Sequence, residues 1–227
     1  MAQKLIILGG EGNGGVVAAC IEDINKRANS KLWELSGFLN DYHDDSICGY
    51  PVLGKTSSAK EWADKGYKLS FGIHPIGHGS LRIELFDSLQ IPDNALATIV
   101  HPSAFVSSNV TLEPGVFIMA NCYIGPQTKI GKSTYIMANS VIGHNDTIGA
   151  FCHFSASSVV SSYVTIGNAS DICLSASVLE KVSIGNYCVI GAKALLTKST
   201  TGDSEMYIGT PAKLHRKITK KNYELTN

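Results

Sequence analysis

The sequence predicts a small Rossmann-like α/β unit followed by an all-β parallel β-helix, and three observations carry that prediction. Every sixth residue from Val100 through Val106, Leu112 and Ile118 to Ile190 and Leu196 is aliphatic or Phe, seventeen positions without a gap in a chain that is 44% hydrophobic. Chance gives such a run about once in a million trials at a fixed register. Two residues before each of these positions stands a small residue, from Ala104 and Val110 to Cys188 and Ala194, with Asp146 the one exception. The third observation is an apolar run, a glycine loop and a helical stretch at the start of the chain.

In order along the chain, residues 4–8 read as a buried strand and residues 16–27 as a helix, with Gly9-Gly10-Glu11-Gly12-Asn13-Gly14-Gly15 between them. Gly10, Gly12 and Gly15 fit G-x-G-x-x-G, a turn that presents backbone N–H groups and a helix N-terminus to a phosphate. The plainer alternative is that the glycines only permit a sharp strand-to-helix turn. A second strand over residues 35–39 ends at Asn40-Asp41, and further α/β elements fall at residues 62–63, 69–72 and 81–89. About ninety residues suffice for half a Rossmann unit holding one nucleotide, but not for two mononucleotide-binding halves. The run Asp41, His43, Asp44, Asp45 lacks the fixed spacing of a metal-ligand motif and reads as a solvated acidic loop.

The hexapeptide stretch reads as a triangular prism of a little over five coils, eighteen residues to the coil, with residues eighteen apart stacked in columns. Gly125, Gly131, Gly143, Gly149, Gly167, Gly185 and Gly191 follow the large residue, where a turning chain is expected to need unusual backbone angles. The chain divides as 1–95, 96–212 and a tail, 213–227. Its net charge is zero and its basic residues cluster only at Lys217, Lys220 and Lys221. That balance argues against nucleic acid or an anionic membrane and for a small-molecule partner. The apolar run at residues 5–8 is far too short for a signal peptide or membrane span, which makes the expected compartment the cytoplasm. Cys122, Cys152 and Cys188 sit in the small-residue column as reduced apolar fillers, and no C-x-x-C pair suggests zinc.

Two histidines in the repeats stand outside the core columns, His144 and His153. Asp146 lies two positions after His144, in a column that faces the interior. A charge there is costly unless it is paired. It serves either to orient a catalytic group or to bond the turn backbone.

The glycine-rich first unit, the junction His101-Pro102-Ser103-Ala104, the turn from His144 to Gly149, His153 and the closing Ile208-Gly209-Thr210-Pro211-Ala212-Lys213 together resemble the sugar O-acyltransferases of the sialic acid O-acetyltransferase type. Within that family they resemble the N-acetyltransferases that complete bacillosamine-type UDP-sugars. The resemblance spans roughly residues 4–218. It implies a left-handed helix, a homotrimer with active sites between subunits, acetyl-CoA as donor without a metal, and a nucleotide-linked amino sugar, UDP-linked by preference, as acceptor in bacterial surface-glycan biosynthesis. It makes residues 1–95 the nucleotide-sugar-binding domain.

Position by position, the resemblance makes His144 the general base, with Asn145 where members often carry an acid and the acid displaced to Asp146. It places His153 at the thioester, Ser162 where a glycine N–H meets the thioester carbonyl, and Leu174 with Ala192, beside Gly191, along the pantetheine groove. Leu174 and Ala192 are eighteen apart and so share a column. On the nucleotide side it assigns Gly10, Glu11, Gly12 and Asn13, the last in place of a histidine, then Asn40 and Asp41, and Gly72. The segment from Gly72 to Gly79 is longer and richer in His than the family's turn, and so able to reshape the acceptor pocket. The nearest rival acetylates a sugar hydroxyl, for example on a sialic acid. A hexapeptide-repeat carbonic anhydrase would need three converging histidines, and a non-catalytic sugar-nucleotide module would keep the fold without turnover.

Overall fold

The computed structural model describes residues 2–219. Its first unit runs β1 (Gln3–Leu8), α1 (Asn13–Arg27), β2 (Trp33–Leu39), β3 (Ser46–Ile47), β4 (Tyr50–Gly54), α2 (Ala59–Asp64), β5 (Lys68–Phe71) and α3 (Gly79–Ser88). The sheet order is β3-β4-β2-β1-β5, with β1 parallel to both β2 and β5. Leu5, Ile6, Ile7 and Leu8 are all buried, as a central parallel strand covered on both faces requires. Helix α1 starts at Asn13, three residues earlier than expected, because the loop glycines form its first turn. A Cβ on Gly14 would stand 3.2 Å from the Phe38 ring, so glycine lets the helix lie close against the sheet. The sequence reading missed the β3–β4 hairpin, which turns on Cys48 (φ 50°) and Gly49 (φ 80°). Two successive positive φ angles match the twist of the flanking strands.

From Ile99 onward the chain winds as a prism of two-residue strands, the first residue pointing outward and the second into the core. This is the left-handed parallel β-helix of the hexapeptide proteins. Partners are eighteen residues apart and parallel, as in Tyr123↔Val141 and Ile124↔Ile142. The aliphatic column fills the interior, each fully buried Ile contributing about 1.5–3 kcal/mol.

The three faces differ in what they point outward. Face one presents Ile99, Phe117, Tyr135, His153, Asp171 and Val189, all buried, the first five of them under the first unit. Ile99, Phe117 and Tyr135 share one apolar cluster with Leu5, Ile7, Val17 and Phe38. Face two presents Phe105, Tyr123, Val141 and Val159, all exposed. Face three presents Thr111, Lys129, Thr147, Thr165 and Ser183, an ordinary solvated surface.

The turn glycines work otherwise than expected. None of Gly125, Gly131, Gly143, Gly149, Gly167, Gly185 or Gly191 has a positive φ. The left-handed residue sits two positions after each of them, in a series of six-residue steps from Gly115 through Asn121, Asn145, Tyr163 and Tyr187 to Lys193. The glycines are needed for proximity. A Cβ on Gly125 would lie 2.5 Å from the Gly143 carbonyl oxygen of the next coil, and one on Gly131 would lie 2.5 Å from the Ala150 nitrogen.

Residues 213–217 are likewise more than a tail. Lys213–Lys217 pairs antiparallel with Glu205–Ile208, which itself extends face one beside Val189–Ile190, so this hairpin covers an edge whose backbone groups would otherwise be open. Lys220 and Lys221 lie outside the described residues. Among the described residues no helix is long and apolar enough to cross a membrane.

Candidate active site

At the C-terminal end of β1 the chain turns through Gly9 (φ 135°) into the loop that starts α1. The Gly15 N–H donates to the Gly10 carbonyl at 3.1 Å and the Val16 N–H to that of Gly12 at 3.0 Å, while the N–H groups of residues 10–14 meet no acceptor among the described residues. No side chain caps the helix and no acid occupies its first turn. A helix start left open in this way attracts an anion. Gly12 and Glu11 are exposed, and a Cβ on Gly12 would touch nothing within 4 Å.

Gly72 must be small, since a Cβ there would stand 3.0 Å from the Leu8 oxygen and 3.2 Å from the Gly14 Cα. A cavity of about 240 Å³ opens beside the loop, lined by Gly9 and Gly10, by residues 40–43, and by Thr56 and Ile73. Asn40 shapes it: Nδ2 donates to the Gly9 oxygen at 3.0 Å and Oδ1 accepts the Tyr42 and His43 N–H groups at 2.8 Å. Asp41 accepts from the Thr56 N–H at 3.0 Å and from its hydroxyl at 2.6 Å. Asp44 pairs with Lys55 at 3.0 Å. Among the described residues no three His, Cys, Asp or Glu side chains converge as a metal site would require. A larger depression of about 490 Å³, lined by Gln3, Lys31 and Trp33, lies at the opposite end of the strands from where open α/β sheets bind ligands.

His144 sits exposed on the edge where face two turns into face three. Its Nδ1 lies 2.8 Å from Asn145 Oδ1. A carbonyl oxygen only accepts, so Nδ1 carries the proton and Nε2 keeps the lone pair. The Tyr163 ring meets the imidazole edge-on at 5.1 Å, and Ser162, one coil on, accepts the His144 N–H through its hydroxyl at 3.3 Å. The Ser162 N–H itself donates to no acceptor among the described residues.

Asp146 bonds the turn backbone. Its Oδ1 accepts the Val164 N–H of the next coil at 2.8 Å, and Oδ2 has no partner among the described residues. Burial pushes its carboxyl from the usual 3.8 up to about 6, against the pull of the Val164 N–H and the nearby His144. Because the folded pKa lies above the unfolded one, the charged form opposes folding above pH 6, and that opposition disappears below about pH 4. Asp146→Asn keeps an acceptor for Val164. It should therefore melt higher than wild type at pH 8, by on the order of 1–3 kcal/mol in stability. Melting curves from pH 8 to 4 should show the gap closing; a variant less stable at pH 8 would mean that the charge itself holds the turn.

His153 points outward from the prism, as expected, but the first unit covers it. Its ring stacks on Tyr135 at 5.7 Å and faces His74 at 6.0 Å, and burial lowers its pKa from 6.5 to about 4. The buried His74 donates from Nε2 to the Phe71 carbonyl at 3.2 Å. Much of the His-rich segment therefore docks on the prism, with Ile73 alone lining the cavity. Sequence reasoning missed what fastens it. Arg82 and Asp171, both buried, pair at 2.8 Å. Asp171 also accepts the Gly77 N–H at 2.7 Å, and Arg82 donates to the Phe151 carbonyl at 2.6 Å.

The expected groove residues lie elsewhere again. Leu174 and Ala192 are exposed and stack one coil apart, the Lys193 N–H reaching the Leu174 carbonyl at 2.8 Å, with Gly191 beside them. They occupy the edge between faces one and two, whereas His144 and Ser162 occupy the edge between faces two and three.

Residues 4–89 match the family of the PglD N-terminal domain, and residues 109–144 match the bacterial transferase hexapeptide repeats. A search of curated proteins gave no match. Perosamine N-acetyltransferase from Caulobacter crescentus, in a variant solved with CoA and GDP-perosamine, is similar at 25% identity and a TM-score of 0.79, over 95% of this chain and 98% of that one. PerB from the same organism, with the same two ligands, is similar at 26% identity and a TM-score of 0.78, over 95% of this chain and 99% of that one. The acetyltransferase domain of PglB from Neisseria gonorrhoeae shares the fold at 22% identity and a TM-score of 0.81, over 95% of this chain and its own full length. The chain thus carries a first unit of the PglD N-terminal type on a transferase hexapeptide prism, an architecture it shares with perosamine N-acetyltransferase from Caulobacter crescentus, and this similarity marks it as an acyltransferase.

Proposed function

We propose that the chain transfers the acetyl group of acetyl-CoA to the amine of a nucleotide-linked amino sugar, in a ternary complex without a covalent intermediate. The observation that carries this reading is the His144 imidazole, exposed, with Nδ1 occupied by Asn145 and Nε2 open. The neutral amine attacks the thioester carbonyl carbon, its proton passes to His144 Nε2, and the C–S bond breaks to release CoA as its thiolate, which then takes up a proton. The Ser162 N–H would receive the oxyanion, worth about 3 kcal/mol for a donor so placed. An amine suits this site better than a hydroxyl. Asp146 is turned to Val164 and lends His144 no direct hydrogen bond, and a hydroxyl needs the stronger base. The acceptor class is supported by the similar protein solved with GDP-perosamine, so GDP- and UDP-linked amino sugars belong in one assay.

The open N–H groups at residues 10–14 would hold the diphosphate. Gly12→Val has room for its side chain in the free protein and so tests ligand approach rather than folding. Calorimetry should show GDP and UDP binding weakened by at least about ten-fold, with CoA binding unchanged. Retained nucleotide affinity would make the first unit an assembly element.

The two edges support the expected trimer. Two copies packed with face two between them would bring His144 and Ser162 of one toward Leu174 and Ala192 of the other, so that one acetyl-CoA touches all four. Face two is apolar and unpartnered, and Phe105 and Tyr123 stack on it at 5.2 Å. Sedimentation should give three times the 24.2 kDa chain mass. Tyr123→Glu should give a folded monomer that no longer binds CoA, whereas a monomeric wild type with full CoA affinity would place the groove within one copy.

A further inference from the structure

We infer that Tyr135 is a positioning residue that sets the glycine loop over the prism, so that a nucleotide held at residues 10–14 stands at a fixed place relative to the acetyl donor. The inference rests on the proposed function. Tyr135 points outward from face one into the first unit, and its hydroxyl donates to the Asn13 carbonyl, the first residue of α1, at 2.8 Å across 122 residues of sequence. The ring is enclosed: it is buried, stacked on Phe117 at 4.5 Å and on His153 at 5.7 Å, with His74 at 5.1 Å on a tilted plane. Burial drives the phenol pKa upward, which keeps the hydroxyl a donor across the whole working range.

Tyr135 thus reaches from the prism to both the loop expected to hold the diphosphate and the histidine expected at the thioester, beside His74 of the first unit, whose carbonyl accepts from Asn13 Nδ2 at 3.5 Å. Other side-chain hydrogen bonds and ion pairs between the two units tether the segment after β5, as Asp171 and Arg82 do, or the far end of α1, where Asp23 meets His101 at 2.7 Å. The Tyr135 hydroxyl ties down the loop itself. Fixing the Asn13 peptide also fixes the plane that carries the Gly14 N–H, one of the open donors of the helix start. An N–H array binds an oxyanion well only when its geometry is preset.

Tyr135→Phe keeps the ring, both stacks and the packing, and removes one hydrogen bond whose net worth is about ten-fold in an equilibrium. In the full chain, hydrogen exchange at Gly15 and Val16, whose N–H groups close the loop onto the Gly10 and Gly12 carbonyls, should accelerate by about ten-fold, while the neighbouring strands at residues 117–118 and 153–154 keep their protection. Calorimetry should show GDP and UDP weakened by about five- to ten-fold and CoA within about two-fold of wild type. Loop protection and nucleotide affinity equal to wild type overturn the inference. So does a loss of protection and of CoA affinity across the whole prism, which is what a merely structural tyrosine would give. A wild-type chain that binds neither GDP nor UDP overturns the nucleotide reading of the loop, and this inference with it. A wild type that binds them beside an equally competent Tyr135→Phe overturns the inference alone.

Discussion

His144→Ala should lower kcat by about two to four orders of magnitude, the scale of losing a positioned general base, while the Kd for CoA stays within about two-fold. The separation follows from where the side chain stands. His144 is exposed, its ring touches Asn145 and the edge of Tyr163, and its removal leaves no orphaned buried group among the described residues, so folding should be unaffected. Asn145→Ala should cost less. It removes the acceptor that selects the Nδ1–H tautomer, and water can partly replace that acceptor at an exposed site. Pre-steady-state turnover with a GDP- or UDP-linked amino sugar is the measurement. If His144→Ala keeps more than half the wild-type rate, the base lies elsewhere, and the open nitrogen at this edge of the prism is a surface feature.

Two periods in the chain carry different parts of this structure. The six-residue period gave the prism, its core and its strand positions, because burying an aliphatic residue at each step outweighs every local preference. The eighteen-residue period of the outward residues was equally present and held more about function. Ile99, Phe117, Tyr135, His153, Asp171 and Val189 form one outward column, and Thr111, Lys129, Thr147, Thr165 and Ser183 another. Sorting by face marks the first as covered and the second as wet, and singles out Asp171 as a charge among apolar neighbours that needs a buried partner. Arg82 could not have been named as that partner, since the pairing joins units 89 residues apart.

The turn glycines show a different limit. Their rule is the distance to the next coil, which no single hexapeptide contains, whereas the left-handed angles fall on Asn145, Tyr163 and their equivalents two residues later. Sequence spacing does distinguish the two edges of the prism. What it omits is how the two edges meet, which the proposed trimer would supply by setting His144 of one copy near Leu174 of the next.

Arg82→Leu should cost about 3–5 kcal/mol of stability at pH 8, the range for breaking a buried ion pair from one side. It strips the Phe151 and Pro75 carbonyls of a donor and leaves Asp171 with only the Gly77 N–H. The dependence on pH then tests the electrostatics apart from the packing. In the wild type, His74 and His153 are held neutral by burial first, with Arg82 adding repulsion to both, while Asp171 pulls His153 the other way. Their folded pKa values lie below the unfolded value of 6.5, so wild-type stability from this cluster is full above pH 6.5 and is lost as pH falls toward 4. Without Arg82 the pull of Asp171 on His153 is unopposed. The imidazole then charges at a higher pH and replaces part of the missing cation. The gap between wild type and Arg82→Leu should therefore be widest at pH 8 and narrow by pH 5.5. Adding Asp171→Leu should recover most of the loss at pH 8, because a buried pair can be exchanged for apolar groups at little net cost while a lone buried carboxylate cannot. Chemical denaturation of the three chains at both pH values decides the matter: a double variant no more stable than Arg82→Leu would mean that the junction is held by the shape of the Arg82 side chain and not by its charge.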